Sequence, residues 1–177
     1  MTLTIRDSLD ADLPAITAIY DHAVRTGTAS FEYDPPDIAE MARRRADVLS
    51  KGFPYLVAEQ DGVVVGYSYA NTYRPRRAYR FSAEDSIYIA PDRQGTGIGR
   101  RLLPALLDRC ESLDLRLIVA VIGDTAMLPS IRLHASCGFT HAGTLPGVGW
   151  KLDRWLDSVL MVRTLGAGTT APPAPNA

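Results

Sequence analysis

The sequence predicts a single mixed α/β domain, with antiparallel strands first and a helix-linked pair of strands afterwards. Three observations predict it. Two β-rich runs, Tyr55–Ala58 and Val63–Ala70, flank Asp61-Gly62, a dipeptide suited to a tight hairpin. Arg116–Ile122 is nearly all apolar, as expected of a central strand covered on both faces. Between them, Gly97–Leu113 has the periodicity of an amphipathic helix.

The elements follow in order. Leu3–Arg6 alternates and reads as a first strand. Asp10 is placed to cap the next helix, whose apolar positions Leu13, Ile16, Tyr20, Ala23 and Val24 recur at helical spacing until Gly27. The loop Thr28–Asp34 carries Phe31 and Tyr33. Pro35-Pro36 then leads into a helix with Ile38, Met41, Val48 and Leu49 on its apolar face and Arg43-Arg44-Arg45 on a solvated one. After the hairpin comes an irregular, arginine-rich stretch, Asn71–Arg80, and then a strand, Glu84–Ile89, ended by Pro91. In the helix Gly97–Leu113, Leu103, Leu106, Leu107 and Cys110 face inward, and Pro104 is expected to kink it or loosen its first turn. Pro129–Ser136 is a last helix, closed by Gly138, and Phe139–Thr144 and Ser158–Arg163 read as closing strands. Positions 1–165 form the domain; the Gly/Thr/Ala/Pro-rich 166–177 is expected to be a disordered tail.

Composition narrows the function classes. The chain has 177 residues and a formal net charge of -1, so no basic excess points to nucleic acid and no acidic tail to a basic partner. The two cysteines, Cys110 and Cys137, belong to no metal-ligand spacing and read as buried thiols in a reducing cytoplasm. No signal peptide is evident, and the apolar runs are too short for a bilayer. A cytoplasmic protein without a metal, a nucleic-acid partner or a membrane anchor is the expectation.

The segment richest in chemistry is Asp92-Arg93-Gln94-Gly95-Thr96-Gly97-Ile98-Gly99-Arg100, between a strand and a helix. Its glycines permit backbone conformations that a side chain blocks, and its N–H groups can converge on an anion at the helix N-terminus. A phosphate or pyrophosphate is the natural ligand. A P-loop fails for want of Lys-Ser or Lys-Thr after the glycines. A Rossmann fingerprint fails because Gly99 comes one residue too early and the strand ends too soon. Gln94, Gly97 and Gly99 do match the Gln/Arg-x-x-Gly-x-Gly/Ala loop of the GCN5-related N-acetyltransferases (GNAT), which bind the pyrophosphate of acetyl-CoA.

That resemblance runs through roughly Leu3–Arg163. The chain resembles the phosphinothricin and methionine-sulfoximine N-acetyltransferase branch of the superfamily. Carrying it are Ile19-Tyr20-Asp21-His22-Ala23-Val24, Glu84-Asp85-Ser86-Ile87-Tyr88-Ile89, Ser130-Ile131-Arg132-Leu133-His134 with Gly138-Phe139, Gly149-Trp150-Lys151 and Arg154-Trp155-Leu156-Asp157. The resemblance implies a mixed sheet of about seven strands, the fourth and fifth splayed around CoA. It implies an enzyme using acetyl-CoA as co-substrate, without metal, to acetylate a small amino-acid-like amine.

The roles implied are these. Glu84 matches a glutamate that faces the amine; as a base it suits a reaction that needs a neutral amine, since such amines titrate at or above about 8. Its alternative is a salt bridge to the nearby arginines. His134 stands where the branch has a histidine and many members a tyrosine that protonates the leaving thiolate; its alternative is a satisfied, packed histidine. Ile87, Tyr88 and Ile89 offer backbone bonds to the pantetheine arm and to the thioester carbonyl. Gln94, Gly95, Thr96, Gly97, Ile98, Gly99 and Arg100 cradle the pyrophosphate, and Ser130 also meets the cofactor. On the acceptor side stand Tyr73, Arg74 and Arg76, with Arg74 or Arg76 suited to hold an α-carboxylate through two hydrogen bonds. Glu84, Asp85 and Ser86 adjoin them, and Phe31 and Tyr33 wall the pocket. His22 and His141 read as structural or surface residues.

One departure stands out: the family's CoA-contacting asparagine is absent from Asp124-Thr125-Ala126-Met127-Leu128-Pro129. Two other functions stay open, acetylation of a protein amine and CoA binding without turnover. Related enzymes pair as homodimers, which places Lys151 and Trp155 near an interface or the pocket.

Overall fold

A computed structural model describes residues 2–173. Seven strands, β1 (Leu3–Asp7), β2 (Tyr55–Gln60), β3 (Val63–Thr72), β4 (Ser82–Ile89), β5 (Leu117–Ile122), β6 (Thr140–Lys151) and β7 (Arg154–Thr164), form one mixed sheet. Their spatial order is β1-β2-β3-β4-β5-β7-β6. The first four are antiparallel neighbours, β4 and β5 are parallel, and β7 returns antiparallel to β5 with β6 outside it. Four helices cover the sheet: α1 (Leu13–Thr26), α2 (Ile38–Ser50), α3 (Gly99–Glu111) and α4 (Leu128–Ser136).

The two faces have separate cores. On one, Ile16, Ile19, Tyr20 and Val24 of α1 and Met41 and Val48 of α2 pack on Tyr55, Val57 and Tyr67. On the other, Leu102, Leu103, Leu106, Leu107 and Cys110 of α3 pack on Leu56, Ala58, Ala70, Ala83 and Ile118. Strand alternation divides the residues of β4 between them. Asp61 (φ 51°) and Gly62 (φ 83°) form the β2–β3 turn, the doubly left-handed geometry of a two-residue hairpin.

Several local expectations are corrected. Asp10 does not cap α1: it starts a 3-10 turn and pairs with Arg45 at 2.6 Å, while Asp12 accepts the Leu9 N–H at 2.7 Å. Arg45 is not solvated but buried, bonding Ser8 Oγ at 2.7 Å and the Ser8 carbonyl. Ile38 and Leu49, expected on the apolar face of α2, are exposed. Helix α3 continues through Pro104. The closing strands are longer than their sequence signal, because Leu152 and Asp153 (φ 53° and 55°) make the β6–β7 turn without a glycine. In the expected tail, Thr170 N–H and Oγ1 both bond the Ala167 carbonyl, closing a turn at 167–170; positions 174–177 lie outside the described residues.

Candidate active site

Strands β4 and β5 pair only from Ser82↔Leu117 to Asp85↔Ala120, although β4 runs on to Ile89. Beyond Asp85 they part. The edge of β4 over Ser86–Ile89 therefore faces a cleft instead of a strand. A cavity of about 130 Å³ occupies the gap, with Ser86, Ile87 and Tyr88 on one wall, Val121, Ile122 and Gly123 on the other, and Met127, Ser130 and His134 along α4.

The glycine loop follows β4. Gly95 (φ 74°) and Gly97 (φ 88°) adopt conformations that side chains resist, and a Cβ on either would meet nothing within 4 Å. The loop is thus open toward solvent at both glycines. Gln94 Nε2 donates to the Ile89 carbonyl at 3.3 Å, and Thr96 Oγ1 to the Arg93 carbonyl at 2.6 Å, tying the loop to the strand end. Ile98 sends its side chain into the core, so only its backbone can serve a ligand. Gly99 meets Leu133 of α4 so closely that a Cβ would stand 2.9 Å from Leu133 Cδ2. Arg100 is exposed at the start of α3; its N–H bonds the Gly97 carbonyl at 3.1 Å, and the Arg101 N–H bonds the Ile98 carbonyl at 3.0 Å.

Glu84, Ser86 and Tyr88 share the sheet face under α1 and α2, opposite Asn71, Tyr69 and Tyr67 of β3. The Tyr88 ring packs edge-on against Tyr20, with centroids 5.1 Å apart, and lies stacked beside Tyr67 at 5.2 Å. Ser86 is hydrogen-bonded to Tyr69. Burial lifts the Glu84 pKa above the ordinary carboxylate value; the neighbouring Asp85 charge adds to the effect and the Arg74 cation opposes it. Arg74 is therefore close enough to act on Glu84. It lies over the Tyr73 ring at 5.3 Å, and Tyr73 meets Tyr79 edge-on. Arg76 is exposed at the start of a 3-10 turn spanning Arg77–Tyr79.

Asp85 does not join this group. One position along the strand from Glu84, it faces the α3 and α4 side, and its Oδ2 lies 3.0 Å from His134 Nε2. The two side chains are 1% and 3% exposed. The other ring nitrogen, Nδ1, is 2.8 Å from the Ser130 carbonyl and 3.4 Å from Ser130 Oγ. Burial disfavours the charged imidazole, but the hydrogen bond and charge of Asp85, with the Ser130 carbonyl, outweigh it and raise the pKa above 6.5.

The α1–α2 loop is fastened across the top of the cleft by β5 and β6. The Phe31 ring sits between Gly123 and Gly149, where added Cβ atoms would stand 2.9 and 2.5 Å from it. Lys151, only 4% exposed, donates to the carbonyls of Gly27 at 2.9 Å and Ser30 at 2.6 Å. The Tyr33 hydroxyl donates to the Trp150 carbonyl. Lys151 thus points inward to the loop, while Trp155, expected beside it, is exposed. In the segment without asparagine, Asp124 accepts the Ala126 N–H at 3.0 Å and pairs with Arg154, and Met127 reaches the cleft.

The strand, loop and helix singled out in the sequence lie together around the cleft, but two connections were missed. The Asp85–His134 pair was foreshadowed by strand alternation, which sends Glu84 and Asp85 to opposite faces. The Lys151 bonds to loop carbonyls had no local signal, since their partners lie more than 120 positions away.

Comparison with known proteins agrees with this geometry. The model of the acetyltransferase (GNAT) family matches residues 16–139. A phosphinothricin N-acetyltransferase of Alcaligenes faecalis is 58% identical over 170 residues, covering 96% of this chain and 86% of that protein. An L-methionine sulfoximine/L-methionine sulfone acetyltransferase of Pseudomonas aeruginosa is 38% identical over 173 residues, covering 97% of this chain and 100% of the relative. The crystal structure of a GNAT superfamily phosphinothricin acetyltransferase from Sinorhizobium meliloti in complex with AcCoA has a TM-score of 0.96 at 46% identity, covering 100% of this chain and 96% of that one. With its splayed strands, its glycine loop and these likenesses along nearly its whole length, the chain belongs to the acetyltransferase (GNAT) family.

Proposed function

We propose that this protein transfers the acetyl group of acetyl-CoA to the amine of a small amino-acid-like molecule, of the class that includes phosphinothricin and methionine sulfoximine. The observation that carries the reading is the cleft between β4 and β5, with the open glycine loop at the end of β4 and the half-buried Glu84 on the opposite sheet face, within reach of the Arg74 charge. Acetyl-CoA fits the first side: pyrophosphate on the backbone of Gln94–Arg100, the pantetheine arm along Ile87–Ile89, and Ser130 and Met127 on the far wall. The acceptor fits the second.

In this reading Glu84 takes a proton from the ammonium, directly or through a water, and the free amine attacks the thioester carbonyl. Backbone N–H groups of the unpaired β4 edge stabilise the oxyanion. Arg74 or Arg76 holds the α-carboxylate, and Phe31 and Tyr33 close the pocket from the loop that Lys151 anchors. His134 lies on the cofactor wall and serves the leaving thiolate. The catalytic unit is a cytoplasmic homodimer, a reading supported by two buried free thiols and by the exposed tryptophans of the β6–β7 hairpin.

The test is release of CoA thiol from acetyl-CoA with methionine sulfoximine, phosphinothricin, methionine sulfone, free amino acids, polyamines and a lysine peptide. Saturable release with an amino-acid analogue is expected; release with the peptide alone redirects the reading to protein acetylation. Glu84→Gln is expected to lower kcat by about 10²–10⁴-fold, the range for a lost general base, while acetyl-CoA still binds. Unchanged turnover removes Glu84 from the mechanism.

A further inference from the structure

The geometry around His134 fixes a proton inventory. The Ser130 carbonyl, 2.8 Å from Nδ1, can only accept, so Nδ1 carries a hydrogen. Nε2 and Asp85 Oδ2, 3.0 Å apart, need a second hydrogen between them, because two lone pairs at that distance repel. The pair therefore holds two hydrogens, as imidazolium with carboxylate or as neutral imidazole with carboxylic acid.

The hydrogen bond and charge of Asp85, with the Ser130 carbonyl, raise the His134 pKa and so favour the first form, against the burial of both side chains. His134 is the basic group that faces Asp85. From α3 comes the Cys110 thiol, whose pKa burial and the Asp85 charge push up to about 12, so it stays neutral. The Phe139 ring packs perpendicular to the imidazole with centroids 5.0 Å apart. On the flanking strands the register partners of Asp85 are Ala70 and Ala120, and Glu84 faces the other side of the sheet. Asp85 Oδ1 has no hydrogen-bond partner, so the His134 contact is its principal compensation for burial. Asp85, Ser130 and His134 all border the cleft that separates β4 from β5.

We propose that Asp85 is a positioning residue for acetyl transfer, holding His134 doubly protonated in the cleft wall so that the Nδ1 proton reaches the departing CoA sulfur through the Ser130 hydroxyl. This rests on the acetyl-transfer reading given above. As the amine nitrogen bonds to the carbonyl carbon and the C–S bond breaks, the bonding electron pair goes to sulfur, and the nitrogen gives its second proton to water as the amide forms. Ser130 Oγ, 3.4 Å from Nδ1, gives its hydrogen to sulfur and takes the Nδ1 hydrogen. His134 ends for a moment as a neutral imidazole, its Nε2–H still donated to the Asp85 carboxylate and its bare Nδ1 against the Ser130 carbonyl, a repulsion that drives its reprotonation. Of the two protons that the ammonium gives up, by way of Glu84 and of water, one is balanced by the solvent proton that restores the imidazolium before the next cycle, and the other is released.

The experiment is ¹⁵N NMR of the His134 ring in the full chain, with the pH profile of kcat measured beside it. In the wild type both ring nitrogens are expected to be protonated at neutral pH, with the second proton lost only above the ordinary histidine value. In Asp85→Asn the side-chain amide donates to Nε2, so a single ring N–H is expected at neutral pH. Its kcat is expected to fall roughly 10²-fold, the low end for a lost proton donor, with acetyl-CoA affinity unchanged. Ser130→Ala is expected to lower kcat while His134 stays doubly protonated. A neutral His134 in the wild type overturns the proposal even if Asp85→Asn does not fold; so does an Asp85→Asn ring that titrates like the wild type, or full kcat in Ser130→Ala. Absence of thiol release by the wild type with every amine sinks the acetyl-transfer reading itself, whereas a neutral His134 in a working enzyme sinks the proposal alone.

Discussion

Glu84 and Asp85 are consecutive acids whose chemistry is separated by the pleat of one strand. Glu84 keeps some contact with solvent and with the arginine-rich β3–β4 connection, and Asp85 is sealed against α3 and α4. A carboxylate acting as base works only when ionised, so activity that depends on Glu84 falls as pH drops through its raised pKa. Arg74 opposes that rise. Replacing Arg74 with Gln removes the opposition, lifts the Glu84 pKa further and moves the acid limb of kcat/KM to higher pH. Because Arg74 is exposed, salt screens its effect, and the difference between Arg74→Gln and wild type is expected to shrink between low ionic strength and about 1 M, where the Debye length is about 3 Å. Superimposable pH profiles at low salt would exclude Arg74 as the charge that tunes Glu84. The same variant is expected to raise the acceptor KM if Arg74 is the carboxylate clamp; an unchanged KM with a shifted acid limb would pass the clamp to Arg76.

Among elements, the α1–α2 loop and the β6–β7 hairpin act together. Lys151 supplies two donors to loop carbonyls inside the protein, and burial lowers its pKa, with Glu32 partly offsetting this. Lys151→Met keeps most of the side-chain volume but leaves the Gly27 and Ser30 carbonyls without that donor, at about 1–3 kcal/mol for each that finds no water. The expected outcome is a lower Tm and a higher acceptor KM, since Phe31 and Tyr33 ride on the loop, with little change in the KM for acetyl-CoA, whose cleft is built mainly from β4, β5 and α4. Equal rises in both KM values would show the loop to be general scaffolding. At this scale the sequence reads unevenly. The β2–β3 hairpin was legible because Asp61-Gly62 is a local signal for left-handed backbone. The β6–β7 turn was not, because Leu152-Asp153 adopts the same geometry without glycine and the strands before it carry Pro146 and irregular register. The glycine loop and the apolar β5 were legible for the same local reason. Arg45 escaped because a charge run looks solvated until tertiary contacts, here Ser8 and Asp10, bury one member of it.

At the scale of the whole molecule, the sheet ends in β6, an edge strand with no further strand beside it among the described residues. Along β6 and the following turn, Leu145, Val148, Trp150 and Leu152 are exposed, and Trp155 of β7 is 66% exposed with its ring edge-on to Trp150 at 5.4 Å. Large apolar side chains gathered at an open sheet edge are what a protein–protein contact buries, and tryptophan anchors dominate such contacts. The same hairpin carries Lys151 and Gly149, which hold the α1–α2 loop, so pairing two copies here would brace the acceptor wall of each. Trp155→Glu places a charge in the middle of that seam. The wild type is expected to sediment at twice the chain mass and Trp155→Glu at the single-chain mass, with acetyl-CoA binding retained because the cleft is built from other strands. Acceptor KM is expected to rise in the monomer as the loop loses its support. A Trp155→Glu variant that still sediments as a dimer would place the seam elsewhere on the surface. A monomer with unaltered acceptor KM would separate assembly from the site, leaving the loop anchored by Lys151 and the wedged Phe31 alone.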